Sequence, residues 1–516
     1  MPPAFPSTVG QVLARSAARS PARTALVFGE RTWTYAELDA AVGRVAAQLL
    51  AAGLTKGDRV AAYGKNSDAY LALYLGCARA GLVHVPVNFN ATGQELVYLL
   101  TQCEASVVFV DPSLEAQLDA VQDELGGLRR GWLLAAPAGD DVLAWMRDAS
   151  GPVHVEDGVA DEDLVQLLYT SGTTSRPKGA MMTHRALVHE YVSAILALEL
   201  SDRDVALHSL PLYHSAQMHV FLLPALAVGA VNHLAVAPDV EAMFDHVESK
   251  GVNAVFLPPT VWVAVANHPD LETRELAGLR KAFYGASIMP VPILQRLRRA
   301  LPAVGFYNCF GQSEIGPLAC VLRPEEHEER PDSCGRPVLF CEVRVVDEDG
   351  TDAEQGELLY RSPQLLTGYW ALEQATTEAF TDDGWFRSGD LVRIDAEGYL
   401  FVVDRIKDVI NTGGVLVASR EVEEALYGRP SVGEIAVIGL PHERWIEAIA
   451  AVVVARENTS VDEAELVAYA KTVLAAHKVP KSVHVVDELP KNASGKLLKR
   501  ELRQALGGAG SAIGRD

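Results

Sequence analysis

The chain has 516 residues, of which 49% are hydrophobic and 22% charged. At about 150 residues per domain, that length predicts three or so packed units with a sizeable buried core. With 45 Lys and Arg against 67 Asp and Glu the formal net charge is −22, which excludes a nucleic-acid or anionic-membrane surface, because phosphate backbones select for clustered cations. An anionic substrate must then be met by a few local cationic side chains. Six cysteines (Cys77, Cys103, Cys309, Cys320, Cys334, Cys341) show no CxxC spacing and no secretory leader, so reduced thiols, a cytoplasmic location and no zinc site are expected.

The first 29 residues carry Arg15, Arg19 and Arg23 and no acid, a composition shared with transit peptides. A folded start is expected instead. VGQVLARSAAR has helical apolar spacing, and ALVFGERTWTYAEL reads as strand, turn and helix with Thr34 as N-cap. Farther on, helical stretches such as AYLALYLGCARAG from Ala69 alternate with β-rich runs such as Val83–Val87 and Ala105–Asp111. That alternation implies an α/β fold with a mostly parallel sheet and helices on both faces.

The strand LVQLL then runs into Tyr169–Gly179, YTSGTTSRPKG. Glycine lets the backbone approach a ligand closely, so successive N–H groups can face an anion. Thr170, Ser171, Thr173 and Thr174 add hydroxyls beside Gly172, and Lys178 adds a point charge. Composition alone leaves a phosphate cradle and an ordinary Ser/Thr/Gly turn at even odds. A Walker A loop is excluded, since Pro177 and Gly179 flank Lys178, and the pairs Gly64-Lys65 and Gly495-Lys496 lack the following Ser or Thr. The apolar run Val220 to Val231 contains Pro224 and is too short to span a membrane, so it predicts a buried helix.

Past the middle, FYGASIMP sets Gly285, Ala286 and Ser287 after a strand, and Tyr307–Pro317 reads YNCFGQSEIGP. Glu314 in it is a hard oxygen ligand of the kind Mg²⁺ takes. A hydrolase elbow is excluded by Ile315 where the final glycine would stand. From about Ser333 to Asp404 short strands between Gly and Asp turns predict a small antiparallel subdomain, with Asp390 in an S-G-D turn and Arg405 fifteen residues later. A carboxylate accepting from both ribose hydroxyls is a recurring solution for nucleotides. Beyond Asp404-Arg405-Ile406-Lys407-Asp408 a small α+β domain is expected, with helices at Ser419–Tyr427 and Val461–Ala476, strands EIAVIGL and AIAAVVVA, and a Lys/Leu helix at the end.

Taken in order, these motifs resemble the AMP-forming acyl-CoA synthetases, within the adenylate-forming enzymes that include luciferases and peptide-synthetase adenylation domains. The loop departs from SGTTGxPKG only at Ser175. The resemblance runs from TYAEL to Lys496 and implies a large N-terminal domain over 1–404, a hinge at 405–408 centred on Lys407, and a mobile C-terminal domain over 409–516.

It also implies a chemistry. A carboxylic acid and ATP give acyl-AMP and pyrophosphate, with Mg²⁺, and coenzyme A then displaces AMP. The loop residues Thr170 to Thr174 and Lys178 would hold the β- and γ-phosphates, and Glu314 with Thr173 the metal. Gly285, Ala286, Ser287, Asn308, Phe310, Gly311 and Ser313 fall at the adenine wall and its flank, Phe310 standing where a stacking tyrosine is common and Ser313 where threonine is usual. Asp390 and Arg405 match the ribose pair, and PKxxxGK marks Lys496 as the lysine on the carboxylate and α-phosphate.

His214 in PLYHSAQMHVF matches the residue that gates or lines the carboxylate pocket, with Met218 and Phe221 following it and Trp262 and Val263 as further wall. No charged side chain lies at 212–221 or 257–265, so an apolar acid, fatty or aryl, is expected. Gly413 and Gly414 and, farther on, Trp445 sit in the CoA-channel region, where Val415, Leu416 and Ile446 replace the usual polar residues and glycine. Those departures leave room for an amine or carrier-thiol acceptor, and a separate alternative changes the acid, for example to nitrite. A catalytically retired binding protein would need key residues lost, and Lys178, Glu314, Asp390, Arg405 and Lys496 are all present. Oligomeric state is left open.

Overall fold

The computed structural model describes residues 7–136, 140–170, 176–287, 289–442, 444–457, 459–491 and 497–507. The chain divides into two compact units, one of residues 1–342 with 360–386 and one of 343–359 with 387–516.

The first unit opens on helix Val9–Arg19, whose Val9, Val12, Leu13, Ser16 and Ala17 form its buried face. Helix Tyr35–Ala51 starts where Thr34 closes a capping box: its side chain accepts the Glu37 N–H, and the Glu37 carboxylate accepts the Thr34 N–H at 2.8 Å. Helix Asp68–Arg79 is buried all round. Its first-turn Asp68 is tolerated inside because the Arg31 guanidinium grips both carboxylate oxygens at 2.7 and 2.8 Å.

Two sheets carry this unit. One has six strands in the order Arg129–Trp132, Val107–Val110, Arg59–Tyr63, Val83–Val87, Leu164–Thr170, Lys178–Thr183, parallel except for its last pair. The other has nine, with Gly305–Phe310, Lys281–Gly285, Ala254–Phe256, Val205–His208, Val231–Leu234 and Thr24–Phe28 running parallel. Val83–Val87 is buried at every position, as a strand covered on both faces must be. The apolar run 220–231 is not one helix: a π-helical turn Ala216–Leu222 passes into helix Leu223–Val228, Gly229 ends it at φ +91°, and a strand begins at Val231.

The second unit holds a four-stranded sheet in the order Glu342–Val346, Gln355–Arg361, Phe386–Ile394, Leu400–Arg405, the ends of whose first three strands reach into the first unit's residues. It also holds a five-stranded sheet built on the antiparallel pair Val432–His442 and Ile446–Ala455. Helix Ser419–Tyr427 has the expected bounds, and Glu463–Val473 starts later than the periodicity suggests because Asp462 caps it, accepting the Glu465 N–H at 2.8 Å. The last helix, Lys499–Gly507, begins with a half-buried cation: Lys499 Nζ lies 2.7 Å from Glu423 Oε1 and donates to Ser419 Oγ at 2.6 Å. Ser419 in turn donates to Asp404, and Arg503 pairs with Asp408.

All six cysteines are buried free thiols, and among the described residues no helix is long and apolar enough to cross a membrane. A fully buried polar chain crosses the first unit: the Tyr191 hydroxyl meets His219 Nδ1 at 3.0 Å, His219 Nε2 meets Gln166 Oε1 at 2.6 Å, and Gln166 Nε2 meets His84 Nδ1 at 3.1 Å. Burial pushes His84 and His219 down to about 3 and His208 down to about 4. Unfolding releases each to about 6.5, so below that pH the unfolded chain binds more protons. Glu190, whose pKa burial raises, acts with the opposite sign. Since the histidines outnumber it, stability should be full above about pH 6.5 and fall as the pH drops toward 4.5. Urea midpoints at pH 7.5 and 5.0 test this, and replacing His219 with glutamine should flatten the difference.

Candidate active site

The loop 171–177 joins two strands in register, since Thr170 opposes Lys178 and Tyr169 opposes Gly179. Strand structure therefore reaches Thr170 on one side and resumes at Lys178 on the other. Ser171, Gly172, Thr173, Thr174 and Ser175 lie outside the described residues, as does Lys496. Next to the hairpin runs segment 366–370, held by Thr367 N–H to the Met181 carbonyl, Met181 N–H to the Gly368 carbonyl and Trp370 N–H to the Gly179 carbonyl. This brings the Tyr369 ring under Lys178, whose Nζ stands 5.1 Å from the ring centroid.

Tyr369 faces Glu314 as well, its hydroxyl donating to Glu314 Oε1 at 3.2 Å. Burial first, and then the Glu314 charge, raise the Tyr369 pKa, so the phenol stays a donor. Lys178, Tyr369 and Glu314 thus form one line of contacts. Tyr369 carries no signal in the sequence, because TGYW has no charge pattern, and only its place beside the loop hairpin reveals it. Glu314 is 8% exposed and takes no Lys or Arg partner among the described residues. A nearly buried carboxylate with a neutral donor on one oxygen fits a divalent cation on the other.

Around Glu314 the backbone is tightly built. Gly311 has φ +155°, and a Cβ there would stand 1.9 Å from the Pro317 carbonyl oxygen, so glycine is required by close approach. Phe310 is half-buried at the end of its strand, and its carbonyl accepts the Ala319 N–H. Asn308 donates to the Ser333 carbonyl at 2.9 Å. Gly285 ends the neighbouring strand, Ala286 follows at φ +63°, a conformation costly for a residue with a Cβ, and Ser287 stands exposed after it.

Ser313 meets Ser215 through their hydroxyls at 2.7 Å, which ties the Glu314 turn to the segment bearing His214. His214 is half-buried, Met218 and Phe221 are buried in the π-helical turn, and Phe221 stacks on Phe256 at 4.1 Å and tilts against Phe283 at 5.1 Å. Trp262 packs on Phe306 in the core, its indole N–H on the Phe283 carbonyl, while Val263 is half-buried.

In the second unit Asp390 and Arg405 are direct cross-strand partners, with Arg405 Nε 2.7 Å from Asp390 Oδ1. A spacing of fifteen residues becomes a contact because the hairpin folds midway between them. Lys407 lies in the short turn Ile406–Asp408. Gly413 and Gly414, at φ +65° and +87°, make the two-residue turn between Ile410–Thr412 and Val415–Val417, and Gly413 N–H bonds the Trp445 carbonyl. Val415, Leu416 and Ile446 are exposed there, and Ile446 holds φ +67°, a strained value for a β-branched side chain.

A family model described as AMP-binding enzyme matches residues 13–370, and one described as AMP-binding enzyme C-terminal domain matches 421–496. The chain belongs to the AMP-binding enzyme family. Within it, the chain is an AMP-forming acyl-CoA synthetase of the adenylate-forming superfamily, using ATP, Mg²⁺ and CoA. It is 39% identical to a feruloyl-CoA synthase from Amycolatopsis over 96% of this chain and 98% of that one. It is 36% identical to an indoleacetate–CoA ligase from Aromatoleum aromaticum over 95% and 96%. Among solved structures, ATP-bound MatB from Rhodopseudomonas palustris superposes with TM-score 0.90 at 30% identity, over 98% of this chain and 99% of that one. The acyl-adenylate complex of o-succinylbenzoate CoA synthetase from Bacillus subtilis gives 0.85 at 28%, over 97% and 98%. These relatives do not favour nitrite as the acid or an acceptor other than CoA.

If Tyr369 serves Glu314 through its hydroxyl and Lys178 through its ring, the two can be separated. Replacing Tyr369 with phenylalanine should cost about 1 kcal/mol of the site's electrostatic organisation, seen as a modest fall in acid-dependent pyrophosphate exchange. Alanine should cost distinctly more, because the ring contact goes too.

Proposed function

We propose that this synthetase activates an aryl or arylalkyl carboxylic acid in the cytoplasm. What supports this reading is that the segment 212–221 bearing His214 carries no acid, lysine or arginine and runs into Phe221, which packs on the buried rings of Phe256 and Phe283. The relatives named for feruloyl and indoleacetate acids support it, and the long-chain fatty-acid ligase FadD13 of Mycobacterium tuberculosis, at 32% identity, stands farther off. A panel of aryl, arylalkyl and fatty acids, scored by ATP- and CoA-dependent product mass, should give aryl or arylalkyl acids the highest kcat/KM. Preference for long-chain acids would overturn the substrate assignment while leaving the ligase activity intact.

The residue roles are those that the resemblance to the family implies. Lys178 and the loop hydroxyls Thr170, Ser171, Thr173 and Thr174 bind the β- and γ-phosphates and orient pyrophosphate as it leaves. Asp390 and Arg405 bind the ribose, and the Gly285–Ser287 and Asn308–Ser313 segments hold the adenine. Glu314, with Thr173, would hold Mg²⁺, which when bound neutralises phosphate charge. His214 orients the acid so that its carboxylate oxygen can attack the α-phosphorus, and Lys496 stabilises the charge that develops there. The 405–408 segment, with Lys407, is the hinge between residues 1–404 and 409–516, and the Gly413, Gly414 and Trp445 region serves the CoA step.

Loss of a preorganised donor to a developing anion costs about 10² to 10³ in rate. Lys496→Ala should therefore nearly abolish acyl-AMP formation while thioester formation from supplied acyl-AMP survives. Equal loss in both half-reactions would count against the assignment.

A further inference from the structure

Glu190 and Gln364 belong to no motif, yet both are fully buried and both touch the turn that carries Glu314. Glu190 projects from helix His184–Ala197, and its Oε1 accepts the Leu318 N–H at 3.1 Å. The side-chain amide of Gln364 donates to Glu190 Oε2 at 2.6 Å and lies within 3.2 and 3.1 Å of the Ile315 and Leu318 carbonyl oxygens. Its own oxygen accepts from Ser193 at 2.7 Å. Gly316, at φ +100°, lets this happen: a Cβ there would press on the Glu190 side chain at 3.2 Å. Two residues beyond Gln364, the Leu366 N–H bonds the Glu314 carbonyl at 2.8 Å.

An apolar side chain at either position would serve packing alone, and a buried carboxyl is costly unless its hydrogen bonds do something packing cannot. Here they fix the backbone on the C-terminal side of Glu314, whose carboxylate Tyr369 holds from the other side. We propose that Glu190 and Gln364 are positioning residues for Glu314, clamping the 313–318 turn so that its carboxylate is set for the metal–nucleotide complex. The proposal rests on the reading of Glu314 as the magnesium ligand. Both Glu190 oxygens accept, one from the Leu318 N–H and one from the Gln364 amide, so an amide at 190 keeps one of those bonds and turns its own NH2 on the other donor.

The test is equilibrium calorimetry of ATP binding with and without Mg²⁺, beside the two half-reactions and Tm. Gln364→Met should cut the Mg²⁺-dependent gain in ATP affinity by about fivefold or more, a typical coupling between two ligands. It should also raise the Mg²⁺ concentration for half-maximal pyrophosphate exchange, while thioester formation from supplied acyl-AMP is unchanged. Glu190→Leu should behave alike, and Glu190→Gln, which keeps one of the two bonds, should lose less of the Mg²⁺ response than Glu190→Leu. If Gln364→Met keeps a normal Mg²⁺ response and both half-reactions merely fall in step with Tm, the pair is structural and the proposal fails. Should Glu190→Leu not fold, Gln364→Met carries the test. Glu314→Gln, run alongside, separates the two readings. An unchanged Mg²⁺ response there overturns the metal assignment of Glu314, whereas a lost response there with a normal one in Gln364→Met overturns only the clamp.

Discussion

A chain with 22 surplus negative charges that works on a polyanion must gather its attractive groups at a few points and hold them still. Many of its cations are spent on carboxylates of their own fold, as Arg31 is on Asp68 and Arg274 on Glu241, Asp245 and Glu248. Lys178 is treated differently. It is set at the first position of a strand, over a neutral aromatic ring, and among the described residues no carboxylate pairs with it.

The same economy shapes the carboxylate side. Glu314 is left without a cation of its own among the described residues, and neutral groups do the holding: a phenol on the side chain and amide N–H groups on the backbone around it. Neutral donors fix a carboxylate's place while leaving its charge available to a divalent ion. In the second unit the opposite choice is made, for Asp390 is paired directly with Arg405. That pair presents a donor fork and an acceptor side by side, which suits a vicinal diol better than a phosphate.

How much of this is legible in the sequence follows from which signals are local. Helices Val9–Arg19 and Ser419–Tyr427 and strand Val83–Val87 have the expected bounds, because period and flanking residues agree. The 220–231 run misleads for the reason that it is buried all round: with apolar residues on every side, periodicity cannot say where a π-turn, a helix and a strand divide. Lys178, Glu314, Asp390 and Arg405 announce themselves through short motifs. Tyr369, Gln364 and Glu190 do not, since their roles arise only where segment 364–370 lies beside the loop hairpin and the Glu314 turn.

The last helix has one consequence for how the protein comes into being. Lys499 reaches Ser419 across 80 residues of chain, and Arg503 reaches Asp408 across 95. At about 5–20 residues per second of synthesis, the acids Asp404, Asp408 and Glu423 leave the ribosome seconds before the cations that answer them. Until then a carboxyl with no counter-ion stands where the C-terminal core has to close. The order of translation therefore makes the final helix the last piece of the C-terminal unit to be committed, and a nascent chain stalled short of residue 499 carries an interior it cannot seal.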